Sequence, residues 1–288
     1  MMIGTVGDLV EDIVVHVDTS KSGGVNEATD TPATVVRRRG GSAANLAVSV
    51  ARAGHAARFI GQVGDDASGL SLLAELRAEG VDVVARRAGT TGTIIVMLDH
   101  AGERTMLTDR GACTRLDHPD RSWLDGLSTL HVPLYSLMGD PLARTTATLI
   151  EWAHEREIAV SIDASSASMI DDFGADSLLE RFAELRPTVF LCNAMEAAAL
   201  GDEIDPARIG AHLTVVKHGA GPAVVMQLGH APVEVPALTI DNVRDTTGAG
   251  DAFAAGLLVA LASGSTPVAA TMLGHHSAAR AISAASSG

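Results

Sequence analysis

Short runs of β-branched residues alternate with alanine- and leucine-rich segments along most of the chain. Six apolar runs have the length of buried strands, at residues 3–6, 57–61, 128–132, 159–162, 188–191 and 213–216. Helical spacing of apolar residues predicts helices over 42–53, 69–79, 142–156, 178–185 and 196–200. This alternation predicts a three-layer, doubly wound α/β fold, in which a mostly parallel sheet is covered by helices on both faces.

Two segments interrupt the alternation. Residues 13–39 and 83–112 carry short alternating runs around polar turns, at 22–26 and 100–102. Both patterns are typical of hairpins or short antiparallel strands. We expect the two segments to form a small β-sheet lid on one domain that spans residues 1–288.

The net charge and composition of the chain argue against several classes of protein and of partner. The formal net charge of -14 argues against nucleic acid and anionic membranes as partners, because both require a basic surface. The first residues lack the basic and apolar regions of a signal peptide, and no run reaches the length of a membrane span. The two cysteines are isolated, as in proteins of reducing compartments. These features predict a cytoplasmic protein.

A glycine loop near the C-terminus offers the clearest candidate chemistry. Residues 245–253 read DTTGAGDAF and precede an apolar helix that ends near Gly264. Gly248 and Gly250 let the backbone approach a ligand, and amides at a helix start bind anions. Asp251 at the same helix mouth is placed to accept a proton from a hydroxyl. An ordinary turn whose aspartate complements the helix dipole explains the same pattern equally well.

The stretch DTTGAGDAFAAG closely resembles the C-terminal signature of the ribokinase-like (PfkB) carbohydrate kinase family. In that family the last aspartate of the motif is the catalytic base, and the preceding amides form an anion hole. The resemblance therefore implies that Asp251 is the base. It assigns the anion hole to Gly248, Ala249 and Gly250.

A glycine pair opens another predicted helix, in the sequence GGSAANLA at residues 40–47. Asn45 lies in the first turn on the polar side, where it either meets a substrate hydroxyl or caps the helix. The stretch is similar to the first family signature, and this implies that Gly40, Gly41 and Asn45 contact the sugar. The resemblance favours Asp12, after the first strand, over Asp8 as the sugar-binding carboxylate.

The residues expected to bind ATP and Mg²⁺ are predicted mainly from the family resemblance. Asn193 and Glu196 look like the family's N..E motif, which acts on Mg²⁺ and phosphate mainly through water. Lys217, Gly219 and Gly221 lie where the family has a nucleotide loop, although Pro222 stands in place of its second glycine.

Two further assignments concern the C-terminal region. Residues 281–288 are similar to the family's last helix and turn near the adenine, and Ser277 is the expected contact there. The family pattern also implies that backbone carbonyls around Asp245 and Thr247 hold K⁺.

The lid segments bear on the substrate. They contain no Phe, Tyr or Trp, whereas a nucleoside kinase is expected to stack a base on an aromatic ring. Arg110 is a candidate partner for a carboxylate or phosphate on the substrate, and Arg37–Arg39 are expected mostly on a solvated face.

The sequence as a whole predicts ATP- and Mg²⁺-dependent phosphorylation of a hydroxyl on a small sugar or sugar acid. The alternatives are a nucleoside kinase on the same fold and a non-catalytic protein that senses a sugar or nucleotide. The lid sheet also suggests a homodimer, because an exposed sheet edge often pairs with a second copy.

Overall fold

The computed structural model describes residues 1–17, 25–26, 28–98, 104–201, 204–240, 243 and 246–285 of the chain. The predicted turn at 100–102, most of the turn at 22–26, and Asp245 lie outside these residues.

Within the described residues, nine strands form the main sheet and four form the lid. The strands are β1 (Met2–Val6), β2 (Val10–Val17), β3 (Ala33–Gly40), β4 (Ala56–Val63), β5 (Asp82–Arg87), β6 (Thr91–Leu98), β7 (Arg104–Gly111), β8 (Thr129–Pro133), β9 (Ala159–Asp163), β10 (Val189–Asn193), β11 (Leu213–Lys217), β12 (Ala223–Gln227) and β13 (Val233–Val235). The main sheet has the order β13-β12-β11-β10-β9-β8-β1-β4-β5. Its strands from β11 to β5 are parallel, and β12 and β13 are antiparallel additions at one edge.

Helices cover both faces of this sheet, so the predicted three-layer α/β fold is confirmed. They are α1 (Ser42–Arg52), α2 (Ala67–Ala78), α3 (Leu142–Glu155), α4 (Ala167–Phe173), α5 (Ala175–Leu185), α6 (Ala194–Leu200), α7 (Pro206–Ile209), α8 (Ala249–Ala262) and α9 (Pro267–Ala285). One apolar core joins the sheet to α1, α2, α8 and α9, and a second joins it to α3 and α5 on the other face.

Helix α8 is buried on several sides because α1 and α9 both pack against it. A side chain at Gly256 would collide with Ser277 of α9 and lie 2.7 Å from the Leu273 carbonyl oxygen. Glycine at this point therefore permits a close crossing of the two helices. The last helix begins at Pro267, well before the region 281–288 that the sequence indicated.

The lid is a sheet with the strand order β3-β2-β6-β7. Its two antiparallel hairpins, β2–β3 and β6–β7, are joined by parallel pairing between β2 and β6. Residues 83–87, which were predicted as part of the second lid segment, instead belong to the edge strand β5 of the main sheet. The lid strand of this segment begins at Thr91.

Among the described residues, no helix combines the length and apolar character that crossing a bilayer requires.

Candidate active site

The candidate site lies at the carboxyl ends of the parallel strands β1, β9, β10 and β11. The N-termini of α1 and α8 meet above this edge. Ser42 Oγ of α1 donates a 2.6 Å hydrogen bond to Asp251 Oδ1 of α8. Ligands of open α/β sheets commonly bind outside the carboxyl ends of the strands. The fold thus brings the two glycine-rich motifs, 209 residues apart, into direct contact.

Asp251 lies in the first turn of α8, a helix that begins directly after Gly248, whose φ is 76°. Burial is the main cause that raises the pKa of its carboxyl to about 6, and the charge of Asp163 acts in the same direction. Hydrogen bonds from Ser42 and Asn45 and the charge of Lys217 oppose the rise. A carboxyl with this pKa is mostly ionised at neutral pH and still basic enough to accept a proton.

Gly41 allows α1 to begin against the end of β1. Its φ of 101° is accessible mainly to glycine, and a side chain here would collide with the backbone carbonyl of Asp8. The backbone at Gly41 therefore sits directly on the segment after β1 that carries Asp8, whereas Asp12 lies within lid strand β2.

Asp12 lies against Gly40, where any side chain would collide with the aspartate carboxylate. The Asp12 side chain is largely buried, and its Oδ1 atom has no hydrogen-bond partner among the described residues. Burial raises the pKa of Asp12, and the charges of Arg38 and Arg39 partly offset this rise. A buried acceptor of this kind has unused capacity for a hydroxyl donor.

Arg39 departs from the predicted solvated face. Its side chain is 11% exposed and bonds Glu75 of α2 at 2.8 Å through Nη1. Its Nη2 lies 3.4 Å from Asn45 Oδ1, in a long hydrogen bond. Arg39 thereby links lid strand β3 to Asn45 of the glycine-pair motif.

Arg110 is bound within the protein. Its guanidinium makes a two-pronged pair with the Asp8 carboxylate, at 2.7 and 2.8 Å, and donates to the Tyr135 carbonyl at 2.9 Å. The pair ties lid strand β7 to the end of β1. The sequence predicted a substrate anion as the partner of Arg110, whereas the structure gives this position to Asp8.

A buried ion pair lies at the predicted nucleotide side of the site. Lys217 Nζ lies 2.7 Å from Asp163 Oδ2, and both side chains are at most 15% exposed. A Cβ placed on Gly250 would lie 3.7 Å from the same Nζ, so the ammonium stands at the mouth of α8. Sequence reasoning missed Asp163, whose only local signal is that an aspartate ends a buried strand.

Asn193 and Glu196 form a capping box at the start of α6. The Glu196 carboxylate accepts from the Asn193 backbone and side-chain nitrogens, each at 2.7 Å. Burial, followed by the Asp163 charge, raises the pKa of Glu196 to about 7. Glu196 therefore caps the helix, and its buried carboxyl holds a proton more tightly than a carboxyl in solvent does.

The remaining predicted site residues do not form one cluster with Asp251. Gly219 and Gly221 lie in the turn after β11, and Thr247 is exposed just before α8. Ser277 lies in the α8–α9 interface beside Gly256, away from the helix mouth. Within the described residues, no group of three or more His, Cys, Asp or Glu side chains is arranged to hold a metal ion by itself.

Known proteins resemble this chain in sequence and in fold. The chain matches the model described as "pfkB family carbohydrate kinase" over residues 3–288. It is 35% identical over 245 residues to a fructokinase of Klebsiella pneumoniae, across 79% of this chain and 78% of that protein. It is 32% identical over 233 residues to an ATP-dependent ribose-1-phosphate kinase of Halopiger xanaduensis, across 76% of this chain and 72% of that protein.

Among solved structures, adenosine kinase from Sinorhizobium meliloti superimposes with a TM-score of 0.84. The two chains are 25% identical, and the match covers 98% of this chain and 93% of that one. The family model spans nearly the whole sequence, and the structural match spans nearly the whole fold. The chain therefore belongs to the pfkB family of carbohydrate kinases.

Proposed function

We propose that this protein transfers the γ-phosphoryl group of ATP to a hydroxyl of a small sugar or sugar acid. The observation that carries the proposal is the Asp251 carboxyl. It stands at the N-terminus of α8 with a pKa raised to about 6, in contact with the sugar-side helix α1. A base, a cluster of helix-end amides and a nearby ammonium are the groups that phosphoryl transfer requires.

In the proposed reaction, Asp251 takes the proton of the attacking hydroxyl. The hydroxyl oxygen forms a bond to the γ-phosphorus as the bond between that phosphorus and the bridging oxygen of ADP breaks. The amides of Gly248, Gly250 and Asp251 stabilise the negative charge on the transferring group, as helix N-termini do for other phosphates. The Ala249 amide, which the resemblance also assigned to the anion hole, instead donates to the Thr246 carbonyl at 3.1 Å. Asp12, Gly41 and Asn45 orient the sugar, and the backbone of Gly40 lines the same surface.

The nucleotide phosphates are proposed to meet Lys217, whose ammonium stands beside Gly250. We propose that Glu196, which lies near the negative charge of Asp163, would hold Mg²⁺ through water, together with Asn193. When bound, the ion neutralises phosphate charge. Gly219, Gly221 and Ser277 remain predicted nucleotide contacts, and a K⁺ site at the carbonyls around Asp245 and Thr247 remains a prediction.

Two observations favour a sugar over a nucleoside. Asp12 Oδ1 is a buried acceptor without a partner in the described part of the chain, which suits a polyol hydroxyl. The lid segments contain no aromatic residue on which a base would stack. The resemblance to an adenosine kinase structure keeps a nucleoside acceptor as the second candidate.

Substrate-dependent ADP release tests the proposal directly. The purified protein is incubated with Mg·ATP and a panel of hexoses, pentoses, their phosphates, sugar acids and nucleosides. A sugar is expected to stimulate ADP release, and ³¹P NMR of the product should show a phosphate monoester. Stimulation by nucleosides alone would favour the second candidate, and ADP release by no acceptor would contradict the kinase proposal.

We also propose that the lid mediates a homodimer. The two edge strands of the lid carry apolar side chains that are about half exposed: Val35, Val36, Met106 and Leu107. Light scattering should give the mass of a dimer for the wild type and of a monomer for Met106→Glu. Met195→Glu, which alters an exposed methionine of α6, is the control and should stay dimeric.

A further inference from the structure

We infer that Ser42 is a positioning residue for phosphoryl transfer: its hydroxyl holds one oxygen of Asp251, so that the other oxygen serves as the base. The inference rests on the proposed function, in which Asp251 accepts the proton. The family resemblance assigns no role to Ser42, because the predicted sugar contacts in its motif are Gly40, Gly41 and Asn45.

The hydrogen bond between Ser42 and Asp251 is short, and Ser42 is its donor. Ser42 Oγ lies 2.6 Å from Asp251 Oδ1. An ionised carboxylate has no proton to give, so the serine must donate. Hydrogen bonds from a hydroxyl to a carboxylate are among the stronger ones in proteins and have this length.

The backbone places Ser42 for this contact. Ser42 is the first residue of α1 and follows Gly41, whose φ of 101° turns the chain into the helix. The next residues, Ala43 and Ala44, are buried against the sheet, so the start of α1 cannot rotate freely. The hydroxyl is therefore aimed by a packed helix rather than by a mobile loop.

The other groups around Asp251 do not replace the hydrogen bond that Ser42 donates to its carboxylate. Lys217 from β11 is the nearby cation, but its ammonium is engaged by Asp163 at 2.7 Å. Asp163 from β9 adds negative charge, which disfavours ionisation of Asp251. The donors that favour the ionised form are therefore neutral groups of α1, Ser42 and Asn45. Asn45 is also a proposed sugar contact, whereas Ser42 is available solely for the base.

This arrangement predicts two effects of the hydroxyl. It fixes the plane of the carboxylate, because one oxygen is held while the other faces the acceptor. It also favours the ionised form, so that more of the base is ready at neutral pH. A serine that only started the helix would produce neither effect on catalysis.

The test compares Ser42→Ala and Ser42→Thr with the wild type. Ser49→Ala is the matched control, because Ser49 lies on the same helix and its hydroxyl bonds the backbone carbonyl of Asn45. Sugar kcat/KM is measured from pH 5 to 9, with KM for ATP and thermal stability alongside. The Asp251 carboxyl is titrated in each protein by ¹³C NMR, assigned through Asp251→Asn.

Ser42→Ala should lower sugar kcat/KM about tenfold and move both the acidic limb and the NMR titration up by about one pH unit. Ser42→Thr should restore both, and Ser49→Ala should match the wild type. An unmoved NMR titration in Ser42→Ala would overturn the inference, whatever happens to the rate. The NMR result needs no turnover, so an inactive wild type would refute the kinase proposal while the titration still judged Ser42.

Discussion

Replacement of Asp251 by asparagine is expected to stabilise the protein at neutral pH, because the fold disfavours the ionised carboxylate. Its pKa rises from the ordinary 3.8 to about 6 on folding. The native state therefore holds the proton more tightly than the unfolded chain, so stability falls as pH rises from 3.8 to 6 and the cost is complete above 6. The cost is about 3 kcal/mol at pH 7.5 and about 1.6 kcal/mol at pH 5.

Thermal unfolding at these two pH values measures the effect. Asparagine keeps a side-chain oxygen that can accept from Ser42, so the contact between α1 and α8 is retained. With an unfolding entropy of about 0.6 kcal/mol/K for a chain of this size, Tm should rise about 5 °C at pH 7.5. About half of this gain should remain at pH 5. A lower Tm at pH 7.5, or an equal gain at both values, would refute the reasoning.

Asp163→Asn is the matched comparison, because it makes the same chemical change in the same cluster. Asp163 is the partner of the buried Lys217 ammonium, at 2.7 Å. Loss of its charge leaves Lys217 uncompensated and should destabilise the protein by about 3 kcal/mol. Opposite signs for the two substitutions would show that the charge environment, and not the substitution type, sets stability here.

Three further outcomes are expected. Sugar kcat/KM should halve near pH 6 and fall about tenfold per pH unit below it, as the raised pKa of Asp251 requires; a flat profile down to pH 5 would exclude this base. Gly41→Ala should abolish sugar-dependent turnover because the methyl group collides with the Asp8 carbonyl. Gly80→Ala should not, because no described atom lies within 4 Å of the added methyl group. Arg110→Ala removes the partner of the Asp8 carboxylate and should lower the free energy of unfolding by about 3 kcal/mol. An unchanged Tm would contradict the stabilising role of the ion pair between Arg110 and Asp8.

The parts of the fold that the sequence predicted are those with strong local patterns. Continuous apolar runs indicated the central parallel strands, and the glycine motifs indicated the starts of α1 and α8. Edge elements lacked these patterns. Strand β5 is only partly buried and ends in Arg86 and Arg87, so its residues resembled a lid segment. Helix α9 is rich in small residues because it packs closely on α8, and its pattern is weakly amphipathic.

The candidate site could be predicted residue by residue but not as a set of contacts. Asp251 and Asn45 stood out within motifs, yet nothing local indicated that Ser42 holds Asp251 across 209 residues. The partners of the buried charged residues could not be predicted from the sequence either. Arg110 was visible as a cation, but its pairing with Asp8 depends on how lid strand β7 crosses the end of β1.

The central claim is that the Asp251 carboxylate removes the proton of the acceptor hydroxyl. Turnover of Asp251→Asn tests it most directly, with Asp125→Asn, an exposed position before β8, as the control. The account predicts that Asp251→Asn lowers kcat by at least about a hundredfold while KM changes little, and that the control matches the wild type. Turnover of Asp251→Asn within tenfold of the wild type would contradict the account.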